Sequence, residues 1–193
     1  MLLGHGAGGG PESPDLALLA RRLPGSGVTV ARFEQPWRTA GRRVAVAPPR
    51  LDEAWLESAP PLLAELAGGL PVYAGGRSAG ARVACRTATS LGVRGVVCLA
   101  FPLHPPGRPG RSRAAELLTP SVPRLVLQGG RDSFGGPEEV RSATGETSGV
   151  VVVELPGADH GYRVPAGSGF TPADLRERLV AEVAGFLGVA PPD

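Results

Sequence analysis

The residues best suited to chemistry form a serine with a glycine two positions away on either side, Gly76-Arg77-Ser78-Ala79-Gly80. An apolar segment precedes this pentapeptide, and a helix-compatible segment follows it. A nucleophile at a sharp turn between a strand and a helix needs small neighbours, because the helix and the adjacent strand pass close by. The start of the helix also places partial positive charge where a negative oxygen would develop. The pattern therefore predicts a nucleophilic serine at position 78.

A serine hydroxyl needs a base to remove its proton, and the base needs a third group to orient it. In a strand-turn-helix architecture, the acid and then the histidine follow the serine, each on a loop after a strand. Asp132 follows the apolar segment 124–128, and His160 follows the segment 150–155. The order Ser78, Asp132, His160 therefore predicts a catalytic triad.

The chain contains only three histidines, so the alternatives to His160 are few. His5 lies in a glycine-rich loop, and we expect it to hold that loop through a backbone hydrogen bond. His104 lies in the proline-rich segment 102–120, either beside a pocket or as an exposed loop residue. Asp159 is the alternative acid, but a residue adjacent to the histidine rarely reaches its ring Nδ1. We therefore expect Asp159 to be structural.

Two backbone N–H groups would have to receive the negative oxygen that forms on the substrate carbonyl. One comes from the residue after the nucleophile and one from the first glycine-rich loop. Ala79 follows the serine and is predicted to supply the first. Ala7 is our choice for the second, with Gly8 as the neighbouring alternative.

The same loop offers a rival interpretation, because it spells Gly-x-Gly-x-x-Gly at Gly4, Gly6 and Gly9. Glu34, at the end of the next predicted strand, resembles an acid that binds a ribose. This is the pattern of a dinucleotide-binding oxidoreductase. It leaves the predicted triad unexplained, and the stretch before Gly4 is short for a first strand, which usually has about 5–6 residues. We rank this interpretation below the triad.

Strands and helices alternate along the chain, which predicts an α/β fold with a mostly parallel sheet between two helical layers. We treat residues 1–193 as one domain. The predicted strands cover 1–3, 28–33, 71–75, 96–101, 124–128 and 150–155, and the predicted helices cover 13–23, 51–67, 79–91 and 172–187. Residues 34–50 are expected to form a long loop. Pro60-Pro61 is expected to kink or interrupt the second helix.

The composition argues against several classes of partner. The formal net charge is +2, all basic residues are arginine, and no basic run is interleaved with aromatic residues, which argues against nucleic acid. Cys85 and Cys98 lie in apolar segments without metal-ligand spacing, which is typical of buried thiols in a reducing compartment. No signal peptide is evident, and no apolar run approaches the ~20 residues that span a bilayer. We expect a cytoplasmic protein without cofactor, metal or membrane partner; its oligomeric state stays open.

Four segments together carry a family resemblance: residues 5–9 (HGAGG), 75–82 (GGRSAGAR), 101–107 (FPLHPPG) and 129–135 (GGRDSFG). They resemble small α/β-hydrolases of the dienelactone-hydrolase-like group, in particular bacterial relatives of the third subunit of the NSL histone-acetyltransferase complex and of its testis-expressed relative. The resemblance implies an α/β-hydrolase fold with little or no cap. It also implies that Ser78, Asp132 and His160 are the residues of the catalytic triad. The opening antiparallel strands of that family have no counterpart here, so we expect the N-terminal strands to be missing. Dienelactone hydrolases proper use cysteine, so lactone specificity is not inherited.

The predicted function is a serine hydrolase that cleaves an ester, thioester or related acyl bond of a small molecule through an acyl-enzyme. The alternative is a non-catalytic binding or scaffold protein, because several eukaryotic relatives serve as subunits. Segments 34–50 and 102–120 are expected to wall the pocket, with candidate lining residues Trp37, Arg77, Phe101, His104 and Phe134. A weaker hypothesis is an anionic substrate attracted by Arg38, Arg77 or Arg163.

Overall fold

Six parallel strands form one sheet in the computed structural model, which describes residues 1–145 and 149–192. The strands are β1 (Leu2–Gly4), β2 (Ala31–Phe33), β3 (Ala74–Arg77), β4 (Val96–Leu99), β5 (Arg124–Gly129) and β6 (Val150–Leu155). Their order across the sheet is β2-β1-β3-β4-β5-β6, and every neighbouring pair is parallel. The predicted α/β fold with a parallel sheet is confirmed.

Helices connect the strands and cover both faces of the sheet. They are α1 (Pro14–Arg22), α2 (Pro36–Thr39), α3 (Pro48–Ala67), α4 (Ala79–Leu91), α5 (Ala114–Leu118), α6 (Pro137–Thr144) and α7 (Pro172–Leu187), with a 3₁₀ turn at Leu23–Ser26. The apolar side chains of α1 and α7 pack on one face, and those of α3, α4, α5 and α6 pack on the other. Within the described residues, no helix is both long and apolar enough to cross a bilayer.

The central strands are apolar on both faces because helices cover both faces. Along β4, Val97 and Leu99 join the core beneath α1 and α7, whereas Val96 and Cys98 join the core beneath α4 and α6. All four side chains are fully buried. A continuous apolar run is typical of a parallel strand in this position, so the residue types of β4 account for its place at the centre of the sheet.

The structure contains more helix than the sequence analysis predicted. α2 lies in the expected loop 34–50, α5 lies in the proline-rich segment 102–120, and α6 was not predicted. α3 begins at Pro48, because proline is favoured in the first turn, where a missing N–H costs nothing. It also continues through Pro60 and Pro61. Both prolines are exposed, so water can solvate the carbonyl groups that they leave without a helical donor.

The strand order leaves a crevice between the loops that follow β1 and β3. These two strands are neighbours, yet α1 leaves β1 toward one face of the sheet and α4 leaves β3 toward the other. Ligands of open α/β sheets bind where successive connections diverge in this way. The serine at position 78 lies directly at this crevice, between β3 and α4.

Candidate active site

Ser78 occupies a strained turn, as predicted. Its backbone has φ 49° and ψ −108°, a left-handed conformation that costs a residue with a side chain on the order of 1–3 kcal/mol. A Cβ atom added to Gly76 would lie 2.4 Å from the carbonyl oxygen of Gly4, and one added to Gly80 would lie 2.2 Å from the same oxygen. Both glycines are therefore required because β1 passes directly beneath the turn.

The structure brings Ser78, His160 and Asp132 together in one chain of hydrogen bonds. His160 Nε2 lies 3.0 Å from Ser78 Oγ. On the opposite side of the ring, Nδ1 lies 2.8 Å from Asp132 Oδ2 and 3.0 Å from Oδ1. Because a carboxylate accepts hydrogen bonds, Nδ1 carries the ring proton, and the lone pair of Nε2 faces the serine hydroxyl. This is the arrangement in which an imidazole can remove the proton of a serine.

The carboxylate of Asp132 is held in place from two further directions. Its side chain is fully buried. The backbone N–H of Phe134 donates to Oδ1 at 2.8 Å, and Gln128 Nε2 donates to Oδ2 at 3.0 Å. Gln128 also bridges to the carbonyl oxygens of Phe101 and Gly135. Gln128 was not predicted as a site residue; the signal for it is a polar side chain directly after the apolar run 125–127 of β5.

The loop that carries His160 is shaped by its neighbours. The ring of Phe134 stacks on the imidazole, with 4.1 Å between the ring centroids. Asp159 Oδ1 accepts the backbone N–H groups of Gly161 at 2.7 Å and Arg163 at 2.9 Å. Asp159 therefore has the structural role that we expected, and Phe134 lies against the ring of His160.

Arg77 joins the nucleophile turn to the histidine loop and to α1. Its Nη1 donates to Asp15 Oδ2 at 2.6 Å, and its Nη2 donates to the backbone carbonyl of His160. The guanidinium also lies 5.3 Å from the ring centroid of Tyr162, whose hydroxyl donates to the carbonyl of Leu127 at 2.7 Å. Burial, together with the nearby charge of Asp15, holds the pKa of the Tyr162 phenol well above its usual range. Asp15 was not predicted as a site residue.

The two candidate N–H donors for a negative oxygen lie beside Ser78. Ala79 is the first residue of α4, where a backbone N–H has no partner within the helix. Ala7 and Gly8 line the same cavity as Ser78. In the described part of the chain, neither Ala7 nor Ala79 donates its N–H to another residue. The choice between Ala7 and Gly8 for the second donor stays a prediction.

His5 fixes the glycine-rich loop that follows β1. Its Nε2 accepts the backbone N–H of Gln35 at 3.1 Å, so its Nδ1 carries the proton and donates to the carbonyl of Gly6 at 2.8 Å. The ring is buried. The prediction that His5 holds this loop through the backbone is confirmed.

A cavity of about 880 Å³ opens beside Ser78 and the ring of His160. Its walls come from the β1–α1 loop with the first two turns of α1, the loop after His160, and the first half of α7. Three apolar side chains, Leu18, Leu175 and Leu179, line part of it. Arg77 and Phe134, two of the predicted pocket residues, also line this cavity.

The pocket prediction was wrong for Trp37, Phe101 and His104, none of which lines this cavity among the described residues. Trp37 is buried against His5 and the side chains of α3. Phe101 is fully buried in the core beneath α4, and His104 Nε2 lies 3.2 Å from Glu139 on α6. The reason is the strand order: all three residues lie on the α3–α4–α6 face, whereas the cavity opens on the α1–α7 face.

The chain belongs to the alpha/beta hydrolase domain family, whose profile matches residues 1–188. The structure is similar to an alpha-beta serine hydrolase homologue from Coxiella burnetii, with a TM-score of 0.72 at 21% identity over 95% of this chain and 84% of that one. It is also similar to a serine hydrolase without a lid from Xanthomonas campestris, with a TM-score of 0.69 at 21% identity over 98% and 84% of the two chains. Est1E from Butyrivibrio proteoclasticus gives a TM-score of 0.67 at 15% identity over 95% and 87%. These likenesses show a shared α/β-hydrolase fold.

Proposed function

We propose that this protein is a serine hydrolase that cleaves an ester, thioester or related acyl bond through a covalent acyl-enzyme. The observation that carries the proposal is the unbroken path from Ser78 Oγ through the imidazole of His160 to the buried carboxylate of Asp132. The family supports the same class of chemistry. The membership of the narrower dienelactone-hydrolase-like group and the cytoplasmic location stay predictions.

The reaction would begin with attack of Ser78 Oγ on the substrate carbonyl, while His160 Nε2 takes the hydroxyl proton. Asp132 would stabilise the imidazolium and keep Nδ1 as the donor. The N–H groups of Ala79 and of Ala7 or Gly8 would stabilise the oxyanion; removing one such donor typically lowers the rate ~10²–10³-fold. His160 would then protonate the leaving alcohol or thiol. A water molecule, deprotonated by the same imidazole, would release the acid and restore Ser78.

The strained conformation of Ser78 fits this role. A nucleophile held in a left-handed turn projects its Oγ away from both the strand and the helix, so a substrate can approach it from the cavity. Gly76 and Gly80 permit this turn because any side chain there would collide with β1. The position of Ser78 above the first turn of α4 also favours negative charge on the substrate oxygen.

The experiment that tests the proposal is labelling with a fluorophosphonate, which reacts with activated serine hydroxyls, followed by mapping of the modified peptide. We expect one adduct, on Ser78, and hydrolysis of a short-chain 4-nitrophenyl ester. Ser78→Ala should abolish both, and His160→Ala should lower both at least ~10³-fold. Circular dichroism would show that each variant is folded. A folded wild-type protein that neither labels nor hydrolyses any ester would instead support the non-catalytic binding protein.

A further inference from the structure

The wall of the active-site cavity carries two arginines that form no ion pair with any carboxylate of the described residues. Arg163 and Arg176 both line the cavity and are exposed. Within residues 1–145 and 149–192, neither guanidinium lies within ion-pair distance of a carboxylate. The two guanidinium groups are therefore available to an anion that enters the cavity.

The carboxylates near these arginines are engaged elsewhere. Of the acidic residues that line the cavity, Glu12 pairs with Arg38 at 2.7 Å and Asp15 pairs with Arg77 at 2.6 Å. On α7 and in its cap, Glu177 pairs with Arg22, and Asp174 accepts two hydrogen bonds from Thr171. Asp159 accepts two backbone N–H groups. These pairings also remove Arg38 and Arg77 from the anion-binding candidates that the sequence suggested.

The cavity runs from the serine along the seam between α1 and α7. At one end, Asp15 in the first turn of α1 contacts Arg77, the neighbour of Ser78. Leu18 lies one helical turn further along α1, about 4.5 Å away by the rise per residue. At the far end of α1, Arg22 pairs with Glu177.

The same cavity has an apolar part. Leu18 of α1 and Leu175 and Leu179 of α7 line this part and are buried. Arg176 lies on α7 between Leu175 and Leu179 in the chain and lines the same cavity. Arg163 lies on the loop that carries His160 and lines the cavity as well.

We propose that the substrate carries, on one side of its scissile bond, an apolar chain that ends in a carboxylate or phosphate bound by Arg163 and Arg176. This inference rests on the proposed function, since it assigns the substrate class of the same site. The leucines would bury the chain, and the guanidinium groups offer planar pairs of donors that match the oxygens of either anion. Because both arginines are exposed, each contributes about twofold to fivefold to the preference.

The test compares esters matched in length but not in charge. The first pair is 4-nitrophenyl hydrogen suberate and its ω-methyl ester, in which the anion of the acid lies on the acyl side of the scissile bond. The second pair is 8-acetoxyoctanoate and its methyl ester, in which the anion lies on the alcohol side. In at least one pair, we expect kcat/KM to favour the acid about tenfold. The preference should fall with added salt. A phosphate-ended analogue of the preferred ester shows whether the site favours carboxylate or phosphate.

The variants assign the preference to the two arginines. R163Q/R176Q should reduce the preference to about unity, whereas R178Q should retain it, because Arg178 pairs with Glu182 on the same helix and does not line the cavity. An equal kcat/KM for acid and neutral ester in both pairs would overturn the inference, as would a preference that survives the double variant.

A binding measurement separates this inference from the proposed function. Calorimetric titration of the S78A protein with the same esters measures recognition without turnover. Tighter binding of an acidic ester, lost in the S78A/R163Q/R176Q protein, would support the anion site even if the wild-type protein showed no hydrolysis. Turnover of ester with equal binding of the acidic and neutral forms would retain the hydrolase and overturn the anion site.

Discussion

Replacing Arg77 by glutamine should separate the histidine loop from α1. The Arg77–Asp15 ion pair is mostly shielded, with 16% and 4% of the two side chains exposed. Removing one partner of a buried pair costs about 3–5 kcal/mol, and the partial exposure of Arg77 lowers our expectation to about 2 kcal/mol. The lost hydrogen bond to the His160 carbonyl adds a catalytic effect, because a misplacement of ~1 Å can cost ~10²-fold in rate.

The matched control is R82Q. Arg82 lies on α4 and makes two hydrogen bonds with Glu116, at 2.8 Å and 2.6 Å, with side chains 19% and 22% exposed. Glu116 keeps its second partner, Arg86, so its charge stays compensated. R82Q therefore breaks an ion pair of an equally shielded arginine without touching the histidine loop.

Two measurements separate stability from positioning. Thermal unfolding should show that R77Q and R82Q are both destabilised. The rate of fluorophosphonate labelling, measured at a temperature where both variants are folded, should fall about 10–100-fold in R77Q and less than twofold in R82Q. Equal labelling rates in the two variants would refute the positioning role of Arg77 and leave it a purely structural residue.

Three further perturbations test other parts of the structure. Gly80→Ala should destabilise the protein by about 3 kcal/mol, because its Cβ would lie 2.2 Å from a backbone oxygen of β1. Gly185→Ala, at an exposed position of α7, should instead stabilise it by up to ~1 kcal/mol. Thermal unfolding of the two variants tests both expectations. Gln128→Leu should lower the hydrolysis rate about tenfold by removing a donor to the triad carboxylate, and an unchanged rate would contradict this role. The hydrogen bond with Cys85, together with burial, raises the pKa of the Cys98 thiol well above its usual range. The stability that the protonated Cys98 thiol contributes is present below about pH 8.5 and is lost as the pH rises toward the pKa of the folded state. The urea concentration at the unfolding midpoint should therefore fall less between pH 8 and pH 10 in Cys98→Ala than in the wild-type protein.

The three residues of the proposed triad could be identified from the sequence because the signals for them are local. Each lies on a loop directly after an apolar segment, and the segments before Asp132 and His160 were assigned within one residue of β5 and β6. The carboxyl ends of parallel strands meet at one edge of a sheet, so residues far apart in the chain were expected to meet there. The hydrogen bonds from His160 to Ser78 and Asp132 agree with that expectation.

The helices that were missed show the limit of local propensity. Residues 34–50 were expected to form a loop and Pro60-Pro61 to kink or interrupt the next helix, yet α3 begins at Pro48 and continues through both prolines. Proline is harmless in a first turn, and its cost inside a helix falls where water reaches the freed carbonyl groups. Whether a helix face is exposed to water depends on tertiary packing, and the local pattern of residues does not specify it.

The sequence alone predicts the six strands, four of the helices, the strained serine turn and the order of the triad residues, since these follow from periodicity and neighbouring residues. The face of the sheet on which each loop lies is set by the tertiary structure. The order β2-β1-β3 sends α1 and α4 to opposite faces, so Trp37, Phe101 and His104 lie away from the cavity. It also decided which charges are paired: Arg77 meets Asp15 across 62 residues of chain. Such pairings depend on packing between distant segments, for which no local pattern exists.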